Sequence, residues 1–152
     1  MTTIAAPPRS PAYVRPALYT GLLLSVLATL APLIDVLTID VISDHVRAAY
    51  PTWPQKSVLA DRNAIAIYLA AVGVVGLAGW IYSLWGFARG KRWVRPVSTV
   101  LFLLGATIQL TGLSIGGEAY TTIVPPLYGT IGVLPSLAGL VAVVGLWRRG
   151  RG

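Results

Sequence analysis

The sequence predicts an all-α integral membrane protein, a four-helix bundle with a short amphipathic helix on its outer face. The 152-residue chain is 55% hydrophobic and only 11% charged, whereas soluble domains carry about a quarter charged residues. The apolar residues also gather into four runs, each close to the roughly 20 residues that cross a bilayer. The predicted spans are about 17–37, 64–87, 97–115 and 124–147.

The four runs leave little chain outside the membrane, so a single transmembrane domain is expected over 17–147. Residues 1–16 include four prolines and show no helical period, which predicts a flexible cytoplasmic tail. Residues 148–152 are predicted to form a basic cytoplasmic tail. The first run is longer than the apolar region of a typical signal peptide, and it is therefore interpreted as a span that is not cleaved.

The distribution of charge predicts the orientation. Nine basic residues precede the first span, separate the second from the third or follow the fourth, and three lie on the opposite side. Because cytoplasmic loops are enriched in Lys and Arg, both termini are predicted to be cytoplasmic, in a multi-pass protein of the cell membrane. All five acidic residues fall on the outer side: Asp35, Asp40, Asp44, Asp61 and Glu118.

The only sizeable extramembrane segment is residues 38–63, and part of it predicts a surface helix. Between Ile39 and Tyr50, polar and apolar residues separate onto two faces of a helical wheel, which is typical of a helix lying on a surface. The polar face carries Asp40, Ser43, Asp44 and Arg47, and the apolar face Val41, Ile42, Val46 and Ala49. Pro51 disfavours helix at the preceding residue and predicts the end of the helix.

His45 is the single histidine of the chain and lies within this helix. It falls on the apolar face, about 100° round the helix from Asp44, so it does not converge with Asp40 and Asp44 as a metal site requires. We therefore favour a histidine packed beneath the helix over a metal ligand. Trp53, in the same segment, is expected at the headgroup level, where amphipathic rings accumulate.

Two polar residues follow the stripes of small residues along which membrane helices associate. Gln109 lies beside Gly105 and Gly112, so it is expected to face inward and form a structural interhelical hydrogen bond. Asp35 continues the series of small residues on the first span and is expected to face the bundle near its outer end. Two interpretations of Asp35 stay open: a polar helix end, or a residue of an outward-opening pocket walled by Gly112 and Gly116.

Three stretches resemble a known group of proteins: "DHVRAAYP", the glycine-rich "YLAAVGVVGLAGWIYSLWG" and the following "RGKRWVRP". Together they occupy the middle of the chain and are similar to small four-span integral membrane proteins common in high-GC Gram-positive bacteria. The resemblance implies the four-span topology and a cell-membrane location. It implies no activity.

The residue types favour binding over catalysis. With zero cysteines and one histidine, the chain offers no thiolate site, no paired haem ligands and no nucleophile–base pair. We therefore predict no catalytic residue, cofactor or metal, and no nucleic-acid partner. The favoured function is a non-enzymatic accessory or binding protein that associates with membrane lipids, another membrane protein or a second copy of itself. The candidate ligand or partner residues are Asp35, Gln109, Asp40, Asp44, His45, Trp53 and Glu118.

Two other functions stay open. The first is a small ion or solute transporter that acts as an oligomer and uses Asp35 and Gln109, since channels need polar positions along their path. The second is a membrane enzyme with a site on the outer face.

Overall fold

The computed structural model describes residues 11–148, and within this range every regular element is helical. In chain order the helices are α1 (Val14–Leu37), α2 (Val41–Ala49), α3 (Gln55–Ala88), α4 (Val94–Ser114) and α5 (Pro126–Arg148). Helices α1, α3, α4 and α5 are each long and apolar enough to cross a membrane. The predicted all-α four-helix bundle with an added short helix is confirmed, and the protein is a multi-pass membrane protein.

Three of the four spans begin earlier than the hydropathy predicts. Helix α1 starts at Val14, inside the segment expected to be a flexible tail, because Pro16 falls in the first turn, where its missing N–H costs no helical bond. Helix α3 starts nine residues before the expected 64, since residues 55–63 are helical but too polar to register as membrane-spanning. The rest of the predicted tails, residues 1–10 and 149–152, lies outside the described residues.

Helix α3 is longer than a bilayer requires. Its 34 residues correspond to about 51 Å at 1.5 Å per residue, against a hydrocarbon core of about 30 Å. Its first turns therefore project beyond the other spans and pack against α2. The end of the bundle that carries α2 and the 115–125 loop is called the cap end. The opposite end, which carries Val14, the 89–93 loop and Arg148, is called the basic end.

Helix α1 is the centre of the bundle and packs along both α3 and α5, while α4 packs on α5. The buried apolar residues form two clusters at opposite ends. The cap-end cluster contains Ile42, Val46, Val58, Ile65, Ala66, Val124 and Tyr128. The basic-end cluster contains Val14, Leu18, Val94, Ala142 and Leu146. Each end of the bundle is thus closed by its own core.

Most of the span glycines make room for a large side chain of another helix. The ring of Trp80 on α3 occupies the space beside Gly21 on α1 and also reaches Gly139 on α5. Val14 occupies the space beside Gly145 in the same way. Small residues therefore allow close packing, as expected in lipid, where helices associate by packing rather than by hydrophobic burial.

The small residues of the third span, Gly105 and Gly112, are not in close contact with another helix as such residues usually are. A Cβ added at Gly105 of α4 would meet no atom within 4 Å, and the same holds for Gly76 of α3. At Gly112 the nearest atom would be a methyl carbon of Val124 at 3.7 Å. The prediction that Gly105 lies in a close helix–helix contact is wrong: this part of α4 borders open space.

The two kinds of glycine predict opposite effects of one added methyl group. Gly21→Ala should lower stability by about 1–3 kcal/mol, because the new Cβ forces the rigid Trp80 ring away from its contacts. Gly105→Ala should leave stability unchanged or raise it by up to about 1 kcal/mol, since alanine is the better helix former and nothing opposes its methyl group. Thermal unfolding in mild detergent measures both. Equal losses in the two variants would contradict this assignment of the packed and open faces.

Candidate functional site

The buried carboxylate of Asp35 holds the start of α2. The residue is 2% exposed, and its Oδ1 and Oδ2 accept hydrogen bonds from the backbone N–H groups of Val41 at 3.0 Å and Ile42 at 3.1 Å. The first N–H groups of a helix have no partner inside the helix, and the helix dipole favours a negative charge beside them. Asp35 therefore joins the first span to the surface helix.

The sharp turn between the two helices brings Asp35 to this position. The backbone carbonyl of Asp35 accepts hydrogen bonds from the N–H groups of Thr38 at 3.0 Å and Asp40 at 2.9 Å. Asp40 adopts a positive φ of 53°, a conformation that aspartate tolerates better than most residues. The turn thus reverses the chain within three residues and points α2 back over the bundle.

Asp35 does not lie in an open pocket. Tyr128 on α5 is itself buried and lies close to the Asp35 carboxylate. At Gly116, one wall of the expected pocket, an added Cβ would lie 2.9 Å from the carbonyl oxygen of Tyr120. The missing side chain of Gly116 therefore makes room for the 115–125 loop. Asp35 is buried, accepts two backbone hydrogen bonds and does not line the cavity described below, so the contacts observed for it are those of a helix cap.

Asp40 takes part in a second polar contact, with α3. Its Oδ2 lies 3.0 Å from Nη1 of Arg62 and accepts a hydrogen bond of 2.7 Å from the Ser43 hydroxyl. Partial burial raises the pKa of Asp40, but the hydrogen bonds from Ser43 and Arg62 outweigh it and hold that pKa below its usual value. Ser43, predicted on the exposed face of the helix, is buried because its hydroxyl serves Asp40.

Four rings cover the cap end. Tyr50 stacks on Trp53 with 3.8 Å between the ring centroids, and His45 stacks on Tyr120 at 5.2 Å. Tyr50 also meets Tyr120 edge to face at 5.3 Å. The Nε2–H of His45 donates to the carbonyl oxygen of Thr122 at 2.9 Å. His45 thus fastens α2 to the 115–125 loop, and Trp53 belongs to the same layer.

Two acidic residues at the cap end accept hydrogen bonds from tyrosine hydroxyls. The Tyr50 hydroxyl donates to Glu118 at 2.8 Å, and the Tyr120 hydroxyl donates to Asp61. Burial, together with this hydrogen bond, raises the pKa of Tyr120 above its ordinary value. Asp44 is exposed and does not pair with Arg47 as its spacing suggests, since Arg47 donates to Gln55 instead.

The cap-end residues are therefore arranged as a brace. Within residues 11–148, no three His, Cys, Asp or Glu side chains converge as metal ligands would, and Asp35, Asp40, Asp61 and Glu118 each accept a hydrogen bond from a neighbouring element. Such contacts hold α2 and the loop in place. They leave no acid–base pair poised toward a substrate space.

A cavity of about 290 Å³ lies inside the bundle, between the two end clusters. All four spans contribute to its lining, and none of the lining residues carries a charge. It exists because α3 and α4 touch mainly near the 89–93 loop. There the Ser98 hydroxyl donates to Ser83 at 3.1 Å and the side chain of Val94 fills the space beside Gly86. Above these contacts the two helices diverge.

The cavity opens sideways, toward the lipid. Val75 on α3 and Leu104 on α4 both line it while remaining 70% and 57% exposed. Gly76 and Gly105 lie beside them and offer no side chain to close the gap. A hydrophobic molecule in the bilayer can therefore enter between α3 and α4 without crossing the polar cap.

Gln109 lies in this cavity. Its amide occupies the space left by Gly132 of α5, which agrees with the inward orientation expected from the sequence. The interhelical hydrogen bond also expected for it is absent: among the described residues, the amide has no hydrogen-bond partner. The sequence predicted the inward position of Gln109 but not the cavity, although glycines such as Gly76 and Gly105 that lack a side chain to fill the space line it.

The cap-end brace makes Asp35 more important for stability than Asp44, although both are aspartates of the same end. Asp35→Asn should destabilise the protein by about 1–3 kcal/mol, because the amide retains one acceptor oxygen and turns N–H groups toward the other backbone donor. Asp44→Asn, on the exposed face of α2, should change stability by less than about 0.5 kcal/mol. Thermal unfolding of the purified variants tests this, and an Asp35→Asn variant as stable as Asp44→Asn would contradict the capping role.

Comparison of the chain with protein-family models, with curated proteins and with solved structures returned no match. What the protein does is therefore inferred from its own residues.

Proposed function

We propose that the protein is a non-enzymatic membrane protein that binds the hydrophobic chain of a lipid-like ligand in the cavity between α3 and α4. The observation that carries this proposal is the lateral opening of an uncharged cavity at the level of the spans. Ligand sites are typically concave, mostly apolar and supplied with a few polar groups, and this cavity combines those properties. Membrane lipids are its natural source of ligand, because the opening faces them.

The shape of the opening favours a chain over a partner helix. An α-helix with its side chains is about 10–12 Å across, while α3 and α4 are held together at one end by the 89–93 loop and the Ser83–Ser98 hydrogen bond. The space therefore narrows toward the basic end. A flexible chain fits such a tapering space, and a second helix could enter only by breaking the Ser83–Ser98 contact.

Ion or solute transport, the alternative based on Asp35 and Gln109, gains less support. Asp35 lies outside the cavity, and both of its carboxylate oxygens accept backbone hydrogen bonds. Gln109 lines the cavity, but it has no charged residue beside it. A path for ions needs charged or carbonyl-lined positions, and neither of these two residues supplies one.

The orientation proposed is a cytoplasmic basic end, in the cell membrane. Six described cations lie at that end, and all five acids lie at or near the cap end. The cations are Arg15, Arg89, Lys91, Arg92, Arg95 and Arg148. At the same end the guanidinium of Arg89 lies 4.6 Å from the ring centroid of Trp85, and Trp85 stacks with Tyr82. Basic and aromatic residues together are typical of the cytoplasmic interface.

Single cysteines test this orientation cleanly, because the chain contains none of its own. Ala48→Cys lies on the exposed face of α2, and Arg92→Cys lies on the exposed 89–93 loop. A membrane-impermeant thiol reagent added to intact cells should label Ala48→Cys, and should label Arg92→Cys only after the membrane is opened. Labelling of Arg92→Cys alone in intact cells would reverse the proposed orientation.

Filling the cavity tests the proposed function. Gly105→Leu places a side chain in the open space between α3 and α4 and should reduce by at least several-fold the lipid retained by the protein in mild detergent. Leu103→Phe is the matched control, since Leu103 lies on α4, is 55% exposed and does not line the cavity. Native mass spectrometry counts the retained molecules. Equal retention by the wild type and Gly105→Leu would remove the support for a ligand in this cavity.

A further inference from the structure

Several polar side chains line the cavity without a side-chain hydrogen-bond partner among residues 11–148, including the Gln109 amide and the hydroxyls of Ser25, Tyr68 and Ser136. Some other hydroxyls in the spans are satisfied locally. Thr29 donates to the carbonyl of Ser25 at 2.6 Å, and Thr130 donates to the carbonyl of Pro126 at 2.8 Å. The cavity thus gathers several polar groups that do not form such local bonds.

Such groups are costly where they lie. The hydrocarbon interior offers no bulk water, and an unsatisfied polar group there loses the hydrogen bonds it has in water without replacement. Gln109 alone presents two N–H donors and an acceptor oxygen. A purely hydrocarbon chain in the cavity would leave all of these unsatisfied, so the lining is suited to a ligand that carries hydrogen-bonding atoms.

The absence of charged residues from the lining limits which polar groups the ligand can carry. No Asp, Glu, Lys, Arg or His lines the cavity. A phosphate, carboxylate or ammonium group placed there would lose its hydration and find no counter-ion, which disfavours it strongly. An uncharged hydroxyl or carbonyl meets no such penalty, and the glutamine amide can donate to either one.

The positions of Gln109 and Ser136 along their helices also favour an uncharged ligand group. Gln109 is five residues from the cap-end terminus of α4, and Ser136 is ten residues from the start of α5. At 1.5 Å per residue, they lie about 7.5 and 15 Å below the ends of their helices. Phospholipid headgroups lie outside the hydrocarbon core, so polar groups within the spans favour a ligand whose polar head enters the bundle.

We infer that the ligand is a neutral amphiphile, a long-chain lipid whose hydroxyl or carbonyl head is bound by Gln109 and Ser136 inside the bundle. Its chain lies against the apolar part of the cavity and the lateral opening. This inference rests on the proposed function and adds the chemical class of the ligand. A charged phospholipid head would find no counter-ion beside these residues.

Four probes with matched 18-carbon chains test the inference on the purified protein: 1-octadecene, oleyl alcohol, methyl oleate and oleate. Oleyl alcohol and methyl oleate should bind about 3- to 10-fold more tightly than octadecene, the range expected for one net hydrogen bond. Oleate at neutral pH should bind no more tightly than octadecene. Affinities are measured by titration with native mass spectrometry.

Gln109→Leu then assigns the recognition to the amide. It should abolish the preference for the alcohol and the ester over octadecene while leaving the affinity for octadecene within about twofold, because leucine keeps most of the volume and loses the polar atoms. Ser136→Ala, which adds no bulk, should lower the preference for the alcohol. The Ser136→Ala variant provides a second test of the ligand preference if the Gln109→Leu variant does not fold.

The outcomes separate the two proposals. If no probe binds the wild type, the proposed function fails and this inference fails with it. If octadecene binds and the alcohol and ester bind equally well, or if Gln109→Leu and Ser136→Ala leave the preference intact, the cavity binds chains and only the inference fails. Tighter binding of oleate than of oleyl alcohol would likewise contradict the inference that the ligand has an uncharged head.

Discussion

The buried Asp35 carboxylate is the contact on which the cap end depends. It accepts hydrogen bonds from the backbone N–H groups at the start of α2, so a single side chain joins α1 to α2, and Tyr128 of α5 lies close to it. With α2 fixed in this way, Asp40 meets Arg62 of α3 and His45 meets the 115–125 loop. A free carboxylate buried at this depth would be costly, and the backbone donors of α2 remove that cost.

Closing both ends of the bundle separately creates the cavity between them. The cap end is held by polar contacts around α2, and the basic end by the short 89–93 loop and by apolar packing around Val14 and Leu146. Neither set of contacts fills the middle of the bundle between α3 and α4, where a Cβ added at Gly76 or Gly105 would meet no atom within 4 Å. Small residues bring α1 close to its neighbours where a large side chain of another helix packs against them. Where no large side chain is present, as at Gly76 and Gly105, small residues leave a gap.

The sequence predicted the spans, the surface helix, its apolar face and the inward orientation of Asp35 and Gln109, because hydrophobic periodicity records which face of a helix is buried. It could not predict what those residues contact. Asp35 was assigned to a possible pocket since the partner that satisfies it is backbone N–H, which every residue carries and no pattern reveals. Ser43 was placed on the wrong face for a related reason: one hydrogen bond to Asp40 outweighed its position on the wheel. Gly105 was ambiguous for another reason. A small residue is found both where helices pack closely and where open space remains, and the sequence does not show whether a side chain of the neighbouring helix fills that space.

The size of the cavity bears on whether it is a packing defect or a site. An empty space of about 290 Å³ would deprive the side chains along its walls of van der Waals contacts. An occupant drawn from the bilayer restores those contacts, and any hydrocarbon chain could do so. Hydrocarbon alone, however, leaves the Gln109 amide and the serine hydroxyls unsatisfied. Leucine at position 109 would have avoided that problem in a cavity that only ever received acyl chains. The polar groups, together with the absence of any charge beside them, are therefore the feature that distinguishes a site for a neutral amphiphile from a gap filled by ordinary lipid.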